Sequence, residues 1–252
     1  MQRFLQAAER RLRDRRALLI YCCTAEEIRH LPYSSHSRRD AWDDLNYLDA
    51  WSYADCTRDQ YLALLRTRGE EGPHHLYSVV DDGTLVHYGW LTCPQLRAPD
   101  AALGLEFVPP DGSAALWDYF THPRARGRGL YLNTLRQCLH DAVDLDGARQ
   151  VFIYVYADNT ISKHVIEKAG FTYRGSLVRE TNFGRTRRYA TFAGEPLDVR
   201  LLDSGRQAEA RQEPRAVRRI DHEEEAQSVR GDRESDAGRD QFRPRSSGQH
   251  TL

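Results

Sequence analysis

Residues 116–174 constrain this chain more than any other stretch, and within them residues 121–131, THPRARGRGLY, most of all. The aromatic run LWDYF at 116–120 reads as a strand. A turn with two glycines and three arginines follows. Leu130, Leu132, Leu135, Cys138, Leu139 and Val143 then recur at helical spacing. Strand, glycine turn and helix in that order aim backbone N–H groups and the positive end of a helix at an anion. Glycine at 127 and 129 leaves no Cβ to hold the anion away. Arginine at 124, 126 and 128 adds charge in a geometry that phosphate accepts as a fork. The residues predict a turn that holds a pyrophosphate.

The rest of the chain reads as a frame around that turn. Residues 1–16 place Phe4, Leu5, Ala8 and Leu12 at helical spacing among charges, which predicts a short amphipathic N-terminal helix. The run ALLIYCC at 17–23 predicts a buried strand, and Thr24 with Glu27 a capping box that starts a helix. Residues 32–55 mix polar residues with Tyr33, Trp42, Tyr47, Trp51 and Tyr53. They read either as a loop folded over the core or as an acceptor-site lid. Thr57 with Gln60 predicts a second cap and a helix ending near Gly69. Asp82-Gly83 predicts a hairpin between strands at 76–80 and 85–92. Residues 104–108 are expected to continue the sheet, with a further strand at 114–121. The run VFIYVY at 151–156 predicts a strand covered on both faces. Asp158-Asn159 caps a helix that Gly170 closes. Residues 171–178 and 187–192 make a last antiparallel pair.

Composition bounds the classes that remain. Net charge is −1, with acidic residues between the arginines, so no field favours nucleic acid. No run approaches the ~20 apolar residues of a membrane span. Cysteines 22, 23, 56, 93 and 138 form no CxxC pair, which argues against a metal site and for a reducing compartment. The expectation is a soluble, cytoplasmic protein, monomer or homodimer, with no metal, nucleic-acid or membrane partner. Residues 203–252 carry few large apolar side chains and are expected to form a disordered charged tail.

Two landmarks then stand together. Arg126-Gly-Arg-Gly129-Leu-Tyr131 follows Thr121-His-Pro123, and about thirty residues on, Asp158-Asn159 leads to Ile166-Glu-Lys-Ala-Gly-Phe171. A P-loop needs a lysine after the glycines, and a Rossmann turn needs a third glycine where Leu132 stands. Over roughly residues 17–195 the chain instead resembles the GNAT superfamily of acyl-CoA-dependent N-acetyltransferases. That family's signature is Arg/Gln-x-x-Gly-x-Gly/Ala after a Val-x-Pro, and its later block is Asn…Glu-Lys-x-Gly-Phe. Taken from Arg126, the signature's last small residue is replaced by Tyr131; taken from Arg124 the pattern is complete, but Pro123 favours the first register. The motifs are also similar to those of GNAT proteins linked to bacterial surface-polysaccharide synthesis.

The resemblance implies an α+β fold, with a mixed, mostly antiparallel central sheet flanked by helices over residues 17–200. It implies acetyl-CoA as acyl donor and a small-molecule amine as acceptor. Backbone groups around Tyr119 and Thr121 would hold the pantetheine arm and polarise the carbonyl. The N–H groups of Arg126, Gly127, Arg128, Gly129, Leu130 and Tyr131 would cradle the pyrophosphate. Asn159 is either a further CoA contact or a plain helix cap. Many members place a tyrosine acid before Glu-Lys, where this chain has Ile166. That departure favours, as the alternative, a non-catalytic acyl-CoA sensor. Glu106, Asp118, His87 and His122 are the candidate bases, and Glu106, on the strand before the cofactor strand, is the one chosen. Trp90, Trp117 and the aromatics of 33–53 suit a sugar ring or a flat acceptor.

Overall fold

In the computed structural model, which describes residues 13–50, 56–70, 72–95 and 97–202, the apolar run at 17–23 lies inside a longer strand, β1 (Arg13–Thr24). Its first four residues, assigned above to the N-terminal helix, are strand because each pairs across a ladder, from Arg13↔Asn182 to Arg16↔Arg179. A continuous ladder satisfies their backbone groups, and four residues of weak periodicity do not outweigh it. The rest of that helix, the segment 203–252 and residues 51–55 of the proposed lid lie outside the described residues. The chain divides into two units, 1–217 and 218–252, and every described residue lies in the first.

Local chemistry sets the element ends. Thr24 caps α1 (Ala25–Arg29) reciprocally: its hydroxyl accepts from the Glu27 N–H at 3.3 Å and its own N–H donates to Glu27 Oε2 at 2.7 Å. After the short β2 (Arg38–Arg39) and a 3-10 turn at Trp42–Tyr47, Thr57 and Gln60 repeat that exchange at 3.3 and 2.9 Å. This launches α2 (Arg58–Glu70). Strands β3 (His74–Asp81) and β4 (Thr84–Thr92) flank Asp82 and Gly83, whose φ of 50° and 67° are those of a tight hairpin turn. The remaining elements are β5 (Ala98–Asp100), β6 (Leu105–Val108), β7 (Ser113–Thr121), α3 (Leu130–Asp144), β8 (Gln150–Tyr156), α4 (Thr160–Ala169), β9 (Thr172–Asn182), β10 (Arg185–Phe192) and β11 (Asp198–Leu201).

Eight strands form one sheet in the order β10-β9-β1-β8-β7-β4-β3-β2. Every ladder is antiparallel except β7–β8, so the sheet is mixed and mostly antiparallel, as expected. One expectation is corrected. Residues 104–108 do not continue this sheet: β6 lies in a second sheet of order β11-β6-β5. The flanks of β7 are already taken by β4 and β8, so β6 is layered over the sheet rather than added to it. Leu105 and Phe107 seat it there, against Ile20, Cys22, Phe152 and Leu177.

Strand alternation divides the core between the two faces. Tyr21, Cys23, Val151 and Ile153 point to the side covered by α1, α3 and α4, where Leu135, Cys138, Leu139 and Ile166 meet them. Ile20, Cys22 and Phe152 point to the other side, under the small sheet. There α2 and the 3-10 turn cover the β3–β4 half through Leu45, Tyr61, Leu65 and Trp90. The exposed edge strand β10 carries Arg185, Arg187 and Arg188, charges of the kind that discourage edge-to-edge pairing.

Candidate active site

The one parallel ladder is short. Strands β7 and β8 pair from Ser113↔Gln150 to Leu116↔Ile153 and then part. Beyond Leu116, residues 117–121 of β7 have no strand partner on the β8 side among the described residues, while β4 holds their other side. The parting coincides with a bulge. Tyr88 pairs with Phe120 and Trp90 with Trp117, so Gly89 alone opposes Asp118 and Tyr119. Asp118 takes the left-handed conformation, φ 47°. Gly89 is required because the Tyr119 ring lies over it, and a Cβ there would overlap the ring edge. The Tyr119 hydroxyl donates to Cys138 Sγ at 3.4 Å, which ties the bulge to α3.

The glycine turn continues from the same end of β7. Pro123–Ala125 form one 3-10 turn, capped by His122, whose Nδ1 accepts from the Arg124 N–H at 3.1 Å. Gly127 and Gly129 both have φ 77°, and among the described residues the position of an added Cβ has no neighbour within 4 Å at the first and only Asn133 Nδ2, at 3.8 Å, at the second. Gly129 is the N-cap of α3 and brings no side chain to it. The first closing bond is Asn133 N–H to Gly129 O at 3.0 Å. The N–H groups of Leu130, Tyr131 and Leu132 therefore have no intrahelical acceptor. They face the open side of the turn, with the helix dipole behind them.

The turn's arginines divide their tasks. Arg128 donates to Asp81 Oδ2 at 2.7 Å and Arg124 to Asp81 O at 3.0 Å, so both brace the turn on the β3–β4 hairpin. Arg128 first, and Arg124 after it, hold the Asp81 carboxyl below its usual range. Arg126 is exposed. Tyr131, which replaces the small residue of the signature, bridges α3 and α4 through its hydroxyl, 2.9 Å from Ser162 Oγ. Asn159 is the N-cap of α4 and accepts from the Ser162 N–H at 3.0 Å; its side chain remains exposed. The cap reading therefore holds, and the amide's N–H₂ end still faces solvent.

The structure places the candidate bases very differently. Glu106 is 2% exposed on β6, where its carboxylate lies 3.1 Å from Arg97, in a sheet that does not adjoin β7. Its nearness to β7 in the chain did not become nearness in the sheet. His122 Nε2 lies 3.4 Å from Asp49. Asp118 is ion-paired with Arg68 of α2, a partner that sequence reasoning missed. A lone carboxylate inside an aromatic strand was the signal that could have found it. Ile166 is fully buried in the core beneath α4, and as isoleucine it offers no hydroxyl there.

His87 lies beneath the turn, with Nδ1 2.8 Å from Thr121 Oγ1 and the ring beside those of Tyr119 and Tyr131. Its Nε2 is buried with no hydrogen-bond partner among the described residues. Burial pushes its pKa from 6.5 down to about 3, so it stays neutral and is a poor base. A histidine depressed in the fold is protonated first in the unfolded chain; its contribution to stability is complete above about 6.5 and is lost as pH falls toward 3. Between pH 7 and pH 5 this ring is expected to cost about 2 kcal/mol. Urea unfolding at both values checks it: His87→Gln should lose that part of the pH dependence, and an unchanged dependence would refute it.

Here a sheet parts beside a bulge and leads through a glycine turn to a helix N-terminus without a side-chain cap, an arrangement suited to receive an anion. Residues 36–171, more than half of the chain, match the model of the acetyltransferase (GNAT) family, and the chain belongs to that family. No curated protein matches it. Among solved structures it is similar to a functionally unknown conserved protein from Staphylococcus epidermidis (10% identity, TM-score 0.47, covering 71% of this chain and 66% of that one). A GCN5-related N-acetyltransferase from Sphaerobacter thermophilus is similar at 15% identity and TM-score 0.43, covering 78% and 59%. An acetyltransferase of the GNAT family from Colwellia psychrerythraea is similar at 14% and 0.45, covering 68% and 57%. The chain thus spans less than two thirds of the length of these structures. Among the described residues no helix is long and apolar enough to cross a membrane.

Proposed function

We propose that this chain is an acetyl-CoA-dependent N-acetyltransferase acting on a primary amine of a small molecule, an amino sugar or an amino-acid-like acceptor. The observation that carries the reading is the continuity of the parted β7 edge with the open, uncapped N-terminus of α3. In this reading the N–H groups of residues 127–131 receive the pyrophosphate, while that of Arg126 donates to Pro123 O at 3.3 Å within the 3-10 turn. Peptide groups near Tyr119 and Thr121 receive the pantetheine arm and the thioester carbonyl. The amine nitrogen bonds the acetyl carbon, the carbon–sulfur bond breaks with its electron pair on sulfur, and the amine's proton passes to water. The chain's part is to orient the thioester and stabilise the carbonyl oxygen as it gains charge. The reading takes no base from Glu106, whose carboxylate Arg97 engages. Trp117 supports a ring-shaped acceptor. The cysteines at 22, 23, 56, 93 and 138, which form no CxxC pair, support a cytoplasmic location.

Isoleucine at 166, where many family members carry a tyrosine acid, favours a second reading, an acyl-CoA sensor without turnover. Calorimetry with acetyl-CoA, followed by thiol release against a panel of amines and amino sugars, separates the two. Binding with release is the expected result. Binding without release across the panel favours the sensor, and no binding overturns both.

A further inference from the structure

The bulge at which β7 leaves β8 is gripped from the face opposite α3. Asp118 pairs with Arg68 there, and the two side chains are only 8% and 12% exposed. The same guanidinium lies 4.8 Å from the centroid of the Trp117 ring. Trp117 is anchored in turn, its Nε1 donating to Thr92 Oγ1 at 2.7 Å, an oxygen that also lies 2.7 Å from His74 Nδ1. One arginine from α2 therefore holds two consecutive residues, the first two beyond the parting of the strands.

Nothing in the β4–β7 ladder alone demands this arrangement. A left-handed residue in a bulge is ordinarily glycine, and aspartate accepts the conformation less readily. Withdrawing a charged pair from water is also unfavourable unless its geometry is well held. Both occur at Asp118, whose peptide groups lie beside the unpaired edge of β7. Backbone held away from its common conformations, by surroundings that over-determine it, is characteristic of sites that need a fixed direction.

We infer that the Arg68–Asp118 pair is a positioning device for acyl transfer: it fixes the bulge, and with it the direction of the peptide groups that receive the thioester carbonyl. The inference rests on the acetyltransferase reading. Neither side chain exchanges a proton or touches the acetyl carbon; both act through the backbone of residues 117–119.

The test uses the full chain and acetyl-CoA labelled with ¹³C at the carbonyl. Infrared difference spectra of the bound thioester report how strongly its oxygen is polarised, and calorimetry with CoA reports binding. In the native chain the bound carbonyl stretch should fall below that of free acetyl-CoA. In Asp118→Asn most of that lowering should vanish while CoA affinity stays within about threefold. Turnover with an amine found by the panel should drop about 10- to 100-fold at unchanged KM. Arg68→Lys, which keeps the charge without the fork, should fall between. If Asp118→Asn does not fold, Asp118→Gly, which takes the left-handed conformation freely, supplies the same comparison. A carbonyl stretch identical in native and variant chains overturns the inference while leaving the acetyltransferase reading intact. So does a folded variant that has lost CoA binding. Failure of the native chain to bind acetyl-CoA overturns the acetyltransferase reading, and the inference with it.

Discussion

Gly129→Asp should weaken acetyl-CoA binding at least about 100-fold while leaving the fold intact, because it sets a carboxylate where the pyrophosphate is received. The two halves of this expectation have separate grounds. The fold should survive because the position is open, with only Asn133 Nδ2 near an added Cβ. Aspartate also tolerates the left-handed conformation better than most residues. Binding should fail because a like charge then faces the phosphates across a few ångströms, at the end of a helix whose dipole favours an anion. The carboxylate is also expected to accept from the N–H groups of the first helical turn and so to occupy the site it blocks. Gly129→Asn separates charge from bulk: it should cost far less affinity than the aspartate. Calorimetry with acetyl-CoA reads both variants, and circular dichroism confirms the fold. Native affinity in a folded Gly129→Asp chain would remove the turn from the donor site.

Gly89→Ala is expected to destabilise the protein by about 1–3 kcal/mol, the range for overpacking a filled core. The added methyl has no room, because the Tyr119 ring covers that face of β4. The ring cannot move aside freely, since its hydroxyl is tied to Cys138 and it packs against Tyr131 at 5.1 Å between centroids. Either β4 and β7 shift apart, or Tyr119 leaves its place and disturbs the bulge. The partner variant Tyr119→Leu makes the test specific. If the overlap is the cause, the double variant should be more stable than the sum of the two single losses by about 1 kcal/mol or more. Additive losses, measured by urea unfolding, would show that the alanine acts elsewhere.

The glycine turn, both capping boxes, the Asp82-Gly83 hairpin and the doubly covered strand at 151–156 were legible because each depends on a few adjacent residues. A cap needs one hydroxyl and one acidic or amide side chain at fixed spacing, and Thr24-Glu27 and Thr57-Gln60 supply them. Asn159 was legible in the same way, as a cap, while its exposed amide leaves CoA contact to be measured. The strand at 104–108 was misplaced because nearness along the chain does not decide which strands pair. β6 follows the apolar seats of Leu105 and Phe107 onto another layer. Arg68 was invisible because it lies fifty residues from Asp118 and meets it only when α2 covers the β3–β4 half of the sheet.

What the sequence determined by itself is therefore the set of local pieces and the family they belong to: turn, caps and buried runs whose bonds close within a few residues. Tertiary structure alone decided where β7 and β8 part, how Asp118 and Tyr119 come to face Gly89, and which charges brace the site. Those features depend on strand register and on packing between elements distant in the chain. No local pattern encodes them, because each partner's position is set by the whole sheet.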